Sequence, residues 1–375
     1  MAPVASNGCS PRFTVVVMIP TGIGAAIGGY AGDAIPVIRA IAQVADCVIT
    51  HPNVLNGAQL YWPLENVLYV EGYGLDQFAA GVWNLRPVHQ NRIGLLLDQG
   101  IEPELRLRHI QSAEACRATL GLDLTDYLIS DRPLGVRLLA SDSGATWGTL
   151  AEPGSLLRGV ERLIQEGGAE AITIVSRCPD DLGTPALQAY RSGQGVDPLA
   201  GAEAVMSHLV VQQFQCPAAH APALLPLPLD ATISPRSAAE ELGYTFLPSV
   251  LVGLSRAPQF MTATESRGTL EIIDASQVNA VIIPASAAGG RSLFHWHGNS
   301  PIITVADNQT TLNVYPHHLG FCTLGSQSYA EAIGVLAALR AGVHPPRLQA
   351  AIAPLAPLTQ GSVESPPGLS SPPLD

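Results

Sequence analysis

Short apolar runs recur along this chain, each followed by a loop and then by a stretch in which apolar residues return every three or four positions. The first run, residues 13–19, is rich in β-branched residues and apolar on both faces, as expected of a strand covered on both sides. Beyond a loop at 20–33, Ile35, Val37, Ile38, Ile41 and Val44 form a helical stripe. A second strand at 47–50 runs into residues 51–57, and further strands are expected at 67–70, 93–97, 127–129, 136–139, 171–175, 245–252, 278–283 and 302–305. Helices are expected at 102–120, with Leu107, Ile110, Cys116 and Leu120 on one face, and at 155–165, 198–213, 235–242 and 329–341. The Pro/Ala-rich passage 216–229 reads as an extended connection.

This alternation predicts an α/β fold of mostly parallel sheets flanked by helices, made of Rossmann-like strand–loop–helix units in one lobe or two. Residues 1–12 read as a loose leader and 13–150 as an α/β lobe carrying a glycine-rich loop. Residues 151–344 read as a second α/β lobe or a continuation of the first, and 345–375 as a disordered Pro/Ser-rich tail.

Composition narrows the chemistry. With 47% hydrophobic and 13% charged residues over 375 positions, the chain has ample material for a buried core. A net charge of −12 without any basic run argues against nucleic acid. All 19 cationic residues are arginine. The absence of lysine excludes a pyridoxal phosphate Schiff base, a lysine general base and a P-loop. Six cysteines without a Cys-x-x-Cys pair read as reduced thiols. Residues 13–32 carry no charge, but Pro20 and the glycines favour strand and loop over a membrane span. The N-terminus lacks a signal-peptide pattern, so the expectation is a soluble cytoplasmic protein without a membrane partner, homo-oligomerisation being left open.

The loop at 20–33 follows the first strand and matches the dinucleotide fingerprint only in part. Gly22 and Gly24 supply its first two glycines, but Ile27 holds the third position and Gly28 comes one residue late. The second strand ends in Thr50-His51 where a ribose-binding carboxylate belongs, so a standard NAD site is disfavoured. Two readings stand: a backbone cradle for a small anionic ligand from Gly22, Gly24, Gly28 and Gly29, or tight packing. Asp33 suits a ligand hydroxyl or a cap on the helix starting at Ala34.

Loops at 141–148 and 285–292 follow strands in the same manner, and with 51–57 they are expected to converge on the carboxyl edge of a parallel sheet. That adds Asn53, Ser143, Gly289, Gly290 and Arg291 to the ligand-binding candidates, Arg291 as the cation beside an anion or else an ordinary surface charge. His51, His295, His297 and Asp33 are the catalytic candidates. If 295–299 is extended, His295 and His297 share a face as a metal would require, with His317, His318, His51 or Asp307 completing the set. No acidic ligand stands at a diagnostic spacing, so no metal is assigned. Cys178 and Cys322 suit a two-thiol acid/base pair or plain buried thiols. Ser143 lacks a nucleophile elbow, and Asp98, Asp131 and Asp142 suit acid/base or capping roles.

Segments 20–34, 50–58 and 300–311 together resemble an uncharacterised protein family of cyanobacteria and plastids, with similarity extending to about residue 342. The resemblance implies the cytosol of a photosynthetic cell or a plastid stroma and supplies no residue roles. The residues themselves point to an enzyme acting on a small anionic metabolite at the strand ends, by acid/base or group-transfer chemistry without a lysine intermediate. The alternative is a non-catalytic metabolite-binding or assembly protein.

Overall fold

A computed structural model describes residues 12–30, 32–55, 62–180, 183–243, 245–266 and 271–352, with 354, 355 and 357. The expected leader, apart from Arg12, and most of the expected tail lie outside the described residues, as does the side chain of Asn53.

The chain folds into two parallel sheets flanked by helices, the α/β architecture its alternation predicts. The larger sheet has the strand order Leu324–Ser326, Ile302–Val305, Val278–Pro284, Thr14–Val17, Cys47–Thr50, Val67–Tyr69. The smaller has the order Ala218–Ala223, Ala171–Arg177, Ile93–Leu97, Leu124–Ile129. Every residue of Thr14–Val17 is buried. Val15 and Val17 enter one core and Val16 the other, because successive side chains leave a strand on opposite faces and both faces here are covered.

The sheets are not built from consecutive halves. Residues 14–69 begin the larger sheet, 93–223 supply the smaller one, and 278–326 return to complete the first, which therefore draws on both sides of residue 150. The two crossings are tied together by an antiparallel ribbon, Trp83–Arg86 against Gln259–Thr262. Buried Asn91 clamps them as well: its amide donates to the carbonyls of Leu254 and Ala257, both at 2.8 Å, and its oxygen accepts from Gln259 Nε2 at 2.7 Å. Strand order reverses between Thr14–Val17 and Val278–Pro284 in the larger sheet, and between Ile93–Leu97 and Ala171–Arg177 in the smaller. At such reversals the crossovers part and a crevice opens beyond the carboxyl ends of the strands.

The expected helices form, and three of them begin on proline at the first helical position: Pro103–Leu120, Pro153–Gln165 and Pro235–Leu242; Pro185–Arg191, a helix not expected from sequence, starts the same way. Proline suits that position because its missing N–H has no helical partner there.

Four local expectations are corrected. Of residues 245–252, expected as a strand, 247–252 belong to the helix Leu247–Ser255, which is buried nearly all round and so hides its period. The passage 216–229 contains the strand Ala218–Ala223, whose Pro222 is tolerated because the strand lies at a sheet edge. The helix Pro103–Leu120 buries Leu105, His109, Ala113 and Cys116, leaving Leu107 and Leu120 exposed. The loop at 141–148 is the turn of a hairpin, Val136–Ala140 with Thr146–Leu150, and does not follow a strand of either parallel sheet.

Candidate functional site

Beyond the carboxyl ends of both sheets lies a cavity of about 440 Å³, a volume suited to a small molecule. Met18, His51 and Glu71 enter its wall just past three successive strands of the larger sheet, and Leu224 just past an edge strand of the smaller. The helix Ala200–Phe214 contributes Glu203, Ala204, Ser207 and His208, neighbours on one helical face at one- and four-residue spacings.

His51 is positioned by the strand that precedes it. Thr50 Oγ1 donates to the Val17 carbonyl at 2.8 Å, and the Ile19 N–H donates to His51 Nε2 at 2.9 Å. An Nε2 that accepts a hydrogen bond carries no proton, so the neutral ring is the Nδ1–H tautomer. Burial pushes its pKa down to about 4, because a charged ring would be poorly solvated there. His220 is likewise pushed down by burial to about 4, and its Nδ1 lies 3.2 Å from Ser207 Oγ.

His208 is shifted the other way. Its Nδ1 lies 3.4 Å from Glu71 Oε1, and that carboxylate raises its pKa. Glu71 is held in turn by its other oxygen, which accepts from the N–H groups of Tyr73 and Gly74 at 2.7 and 3.3 Å and so caps the helix Gly72–Ala79. Glu203 is 8% exposed, and its Oε1 is buried without a hydrogen-bond partner. Burial, with Asp197 and Glu240 nearby, raises its carboxyl well above the usual range. Arg191 also lines the cavity but is held by Glu241 through a two-pronged contact of 2.5 and 3.0 Å. Asp76 Oδ1 accepts from Ser292 N and Oγ at 3.1 and 2.7 Å.

Of the residues expected from sequence, the cavity brings together His51, Gly29, Gly290 and Arg291. Gly22, Gly24, Gly28, Asp33, Ser143, Gly289, His295 and His297 are not on its wall. The glycine loop packs against protein. A Cβ at Gly22 would come within 2.8 Å of the Thr146 carbonyl oxygen, one at Gly24 within 2.9 Å of Val196 Cγ2, and one at Gly28 within 2.8 Å of Ile19 Cδ1. Three consecutive N–H groups that a cradle would need are already spent: Ala26 on Gln309 O at 3.0 Å, Ile27 on Asn308 Oδ1 at 2.9 Å, and Gly28 on Asp33 Oδ1 at 2.6 Å. Asp33 thus closes the loop and pairs with Arg236 at 3.1 Å, and it does not cap the helix at Ala34.

His295 lies within the helix Arg291–Trp296, with His297 just after it. Two residues apart on a helix, the rings leave on nearly opposite sides, unlike the extended arrangement that chelation would need. His297 stacks on Phe321 at 4.4 Å. No group of three or more metal-ligating side chains occurs among the described residues. Ser143 bonds Ser141 Oγ at 2.8 Å in the hairpin turn. Cys178 is buried and its thiol is pushed up by burial, whereas Cys322 is exposed, and neither lines the cavity. Asp98 is a backbone clamp, its carboxylate accepting from Gly100, Leu134 and Arg177 N–H at 2.8 to 3.0 Å.

Sequence reasoning missed Glu71, Glu203, His208 and His220. One signal was available: Glu203 is the single charge in the otherwise uncharged run 198–207. No local pattern distinguishes the others.

Fold and cleft together define an α/β protein of two parallel sheets flanked by helices, with a small-molecule-sized cavity beyond their carboxyl ends. Within that class, residues 14–349 match the family described as Protein of unknown function (DUF3326), and the chain belongs to that family. A protein of Synechococcus sp. named "Uncharacterized lipoprotein" is 61% identical over 336 residues, covering 89% of this chain and 93% of the relative. The likeness to an uncharacterised family with cyanobacterial members is thereby borne out. No solved structure matches the chain significantly. The relative's name corrects the expectation of a freely cytoplasmic protein, since a lipoprotein is held at a membrane by its lipid. No helix among the described residues is long and apolar enough to cross a membrane.

Proposed function

We propose that this chain is an enzyme that performs acid–base chemistry, without a lysine intermediate, on a small polar molecule held in the cleft beyond the carboxyl ends of its sheets. The observation that carries this reading is that ionisable groups displaced in opposite directions meet on one cavity. Glu203 and His208 are raised, while His51 and His220 are lowered. In this scheme Glu203, whose carboxyl burial pushes toward its protonated form, holds the polar group of the bound molecule. His208, its pKa raised and its ring oriented by Glu71, exchanges a proton with substrate, and the neutral rings of His51 and His220 position the molecule.

The anionic ligand expected from sequence retains Arg291 and Gly29 on the cavity wall but loses the N–H of Gly28, which Asp33 takes. Taken over to this chain, the relative's lipoprotein name would tether the protein to a membrane surface, which partition of the expressed protein into a detergent phase checks.

The enzymatic reading is tested by native mass spectrometry of the purified protein, followed by incubation with any co-purified molecule. The wild type is expected to carry a small molecule and convert it, and His208→Gln to carry it without conversion. A molecule retained equally and converted equally by His208→Gln and Glu203→Gln would overturn the scheme.

A further inference from the structure

We propose that the cavity takes a small organic cation, a molecule bearing a protonated amine or amidine, with Glu203 as its counter-ion. This rests on the reading of the cleft as a small-molecule site and names the ligand class. Carboxyl side chains outnumber guanidinium groups on the cavity wall. Of the two arginines there, Arg191 is already engaged by Glu241. Among the carboxyls, Glu71 is committed to two backbone amides and His208, and Asp76 to Ser292. Glu203 differs from both. It is 8% exposed, its Oε1 has no partner, and it faces the cavity. A buried polar oxygen left without a donor costs free energy that a ligand N–H would recover.

The charged groups around Glu203 select among ligands. Asp197, in the turn before its helix, and Glu240, from the helix Pro235–Leu242, both add negative potential. Cys178, past the strand Ala171–Arg177, is a further titratable neighbour and stays a neutral thiol. A carboxylate or phosphate brought to Glu203 meets like charge on every one of these ionised sides. A neutral polyol supplies a hydrogen bond but no compensation of charge. An ammonium group supplies both.

The proton balance follows. In the empty cavity burial and the neighbouring charges of Asp197 and Glu240 favour the protonated form of Glu203. When R–NH3+ enters, the Glu203 O–H bond breaks, the proton leaves to solvent, and the carboxylate accepts hydrogen bonds from the ammonium. One proton is therefore released per cation bound, and affinity rises with pH until the carboxyl is ionised before binding.

The test is thermal unfolding of the full chain with ethanolamine, agmatine, succinate or glycerol, then titration calorimetry in phosphate and in MOPS at pH 7.5. At least one of the amines is expected to raise Tm where succinate and glycerol do not, and the buffer dependence to give about one proton released per site. Glu203→Gln, which keeps the side-chain size, is expected to bind that amine at least ten-fold more weakly and to release no proton. Amine binding without proton release from the wild type overturns Glu203 as counter-ion, whatever the variant does. Stabilisation by succinate in preference to the amines overturns the cation but leaves the cleft as a site. No stabilisation by any of the four overturns both.

Discussion

The Ile19 amide donates to Nε2 of His51 across 2.9 Å, joining the end of the first strand of the larger sheet to the end of the second. The bond fixes the tautomer, and burial keeps the ring neutral down to about pH 4. An unfolded chain returns the ring to a pKa of about 6.5. Between those values the unfolded state binds more protons than the folded one, so stability falls as pH is lowered from about 6.5 to 4 and is fully retained above 6.5. The loss attributable to His51 is about 3 kcal/mol. His51→Gln keeps an acceptor for Ile19 and cannot titrate. Urea unfolding midpoints measured from pH 7.5 to 4.5 are expected to fall less steeply for the variant than for the wild type, and parallel slopes would show that His51 is not the titrating group.

Gly22, Gly148 and Gly201 meet around Thr146 and Trp147, where the glycine loop, the hairpin and the start of the helix Ala200–Phe214 touch. A Cβ on Gly201 would fall 2.1 Å from the Thr146 carbonyl oxygen, and one on Gly148 2.3 Å from Ala202 Cβ. Backbone cannot yield as a flexible side chain can. Gly201→Ala and Gly148→Ala are each expected to cost at least ~2 kcal/mol. Gly289→Ala, with its nearest neighbour at 3.6 Å, is expected to change stability by less than about 0.5 kcal/mol. Denaturant unfolding of the three variants checks the contrast.

Asn308 pins the glycine loop from below. It is fully buried, accepts from Ile27 N–H at 2.9 Å, and donates to Ile27 O at 3.0 Å; its amide nitrogen also lies 2.7 Å from the Tyr329 hydroxyl. Asn308→Ala leaves those groups without partners in the interior and is expected to cost roughly 2–4 kcal/mol. Hydrogen exchange at residues 23–28 should rise in the variant beyond the change seen in the strand Cys47–Thr50. Equal acceleration in both places would mean the pin acts on global stability alone.

Arg191 and Glu241 form a bidentate pair with side chains 15% and 17% exposed. Glu241→Ala strands a largely desolvated guanidinium and is expected to cost about 2–3 kcal/mol. Arg191→Lys keeps the charge but loses the planar fork, and should recover only part of it. Because the pair is shielded, the penalty should persist at 1 M salt, which urea titrations at two ionic strengths measure.

By itself the sequence determined the elements and their class. The β-branched run 13–17 reads as a strand buried on both faces, and proline at positions 103, 153 and 235 stands at helix starts, because both signals act through bonds and neighbours within a few residues. The absence of lysine was equally secure. Tertiary structure alone decided which strands share a sheet, since period and propensity carry no record of pairing across residues 69 to 278. It also decided the meaning of the glycine loop, where the amides of Ala26, Ile27 and Gly28 look free in sequence and are taken by Gln309, Asn308 and Asp33 in the fold. The cavity's ionisable groups follow the same rule. His51 was legible because it directly follows a strand. His208 and Glu71 were not, because they meet across more than a hundred positions of chain, and Glu203 showed only as a lone charge whose desolvation the fold decides.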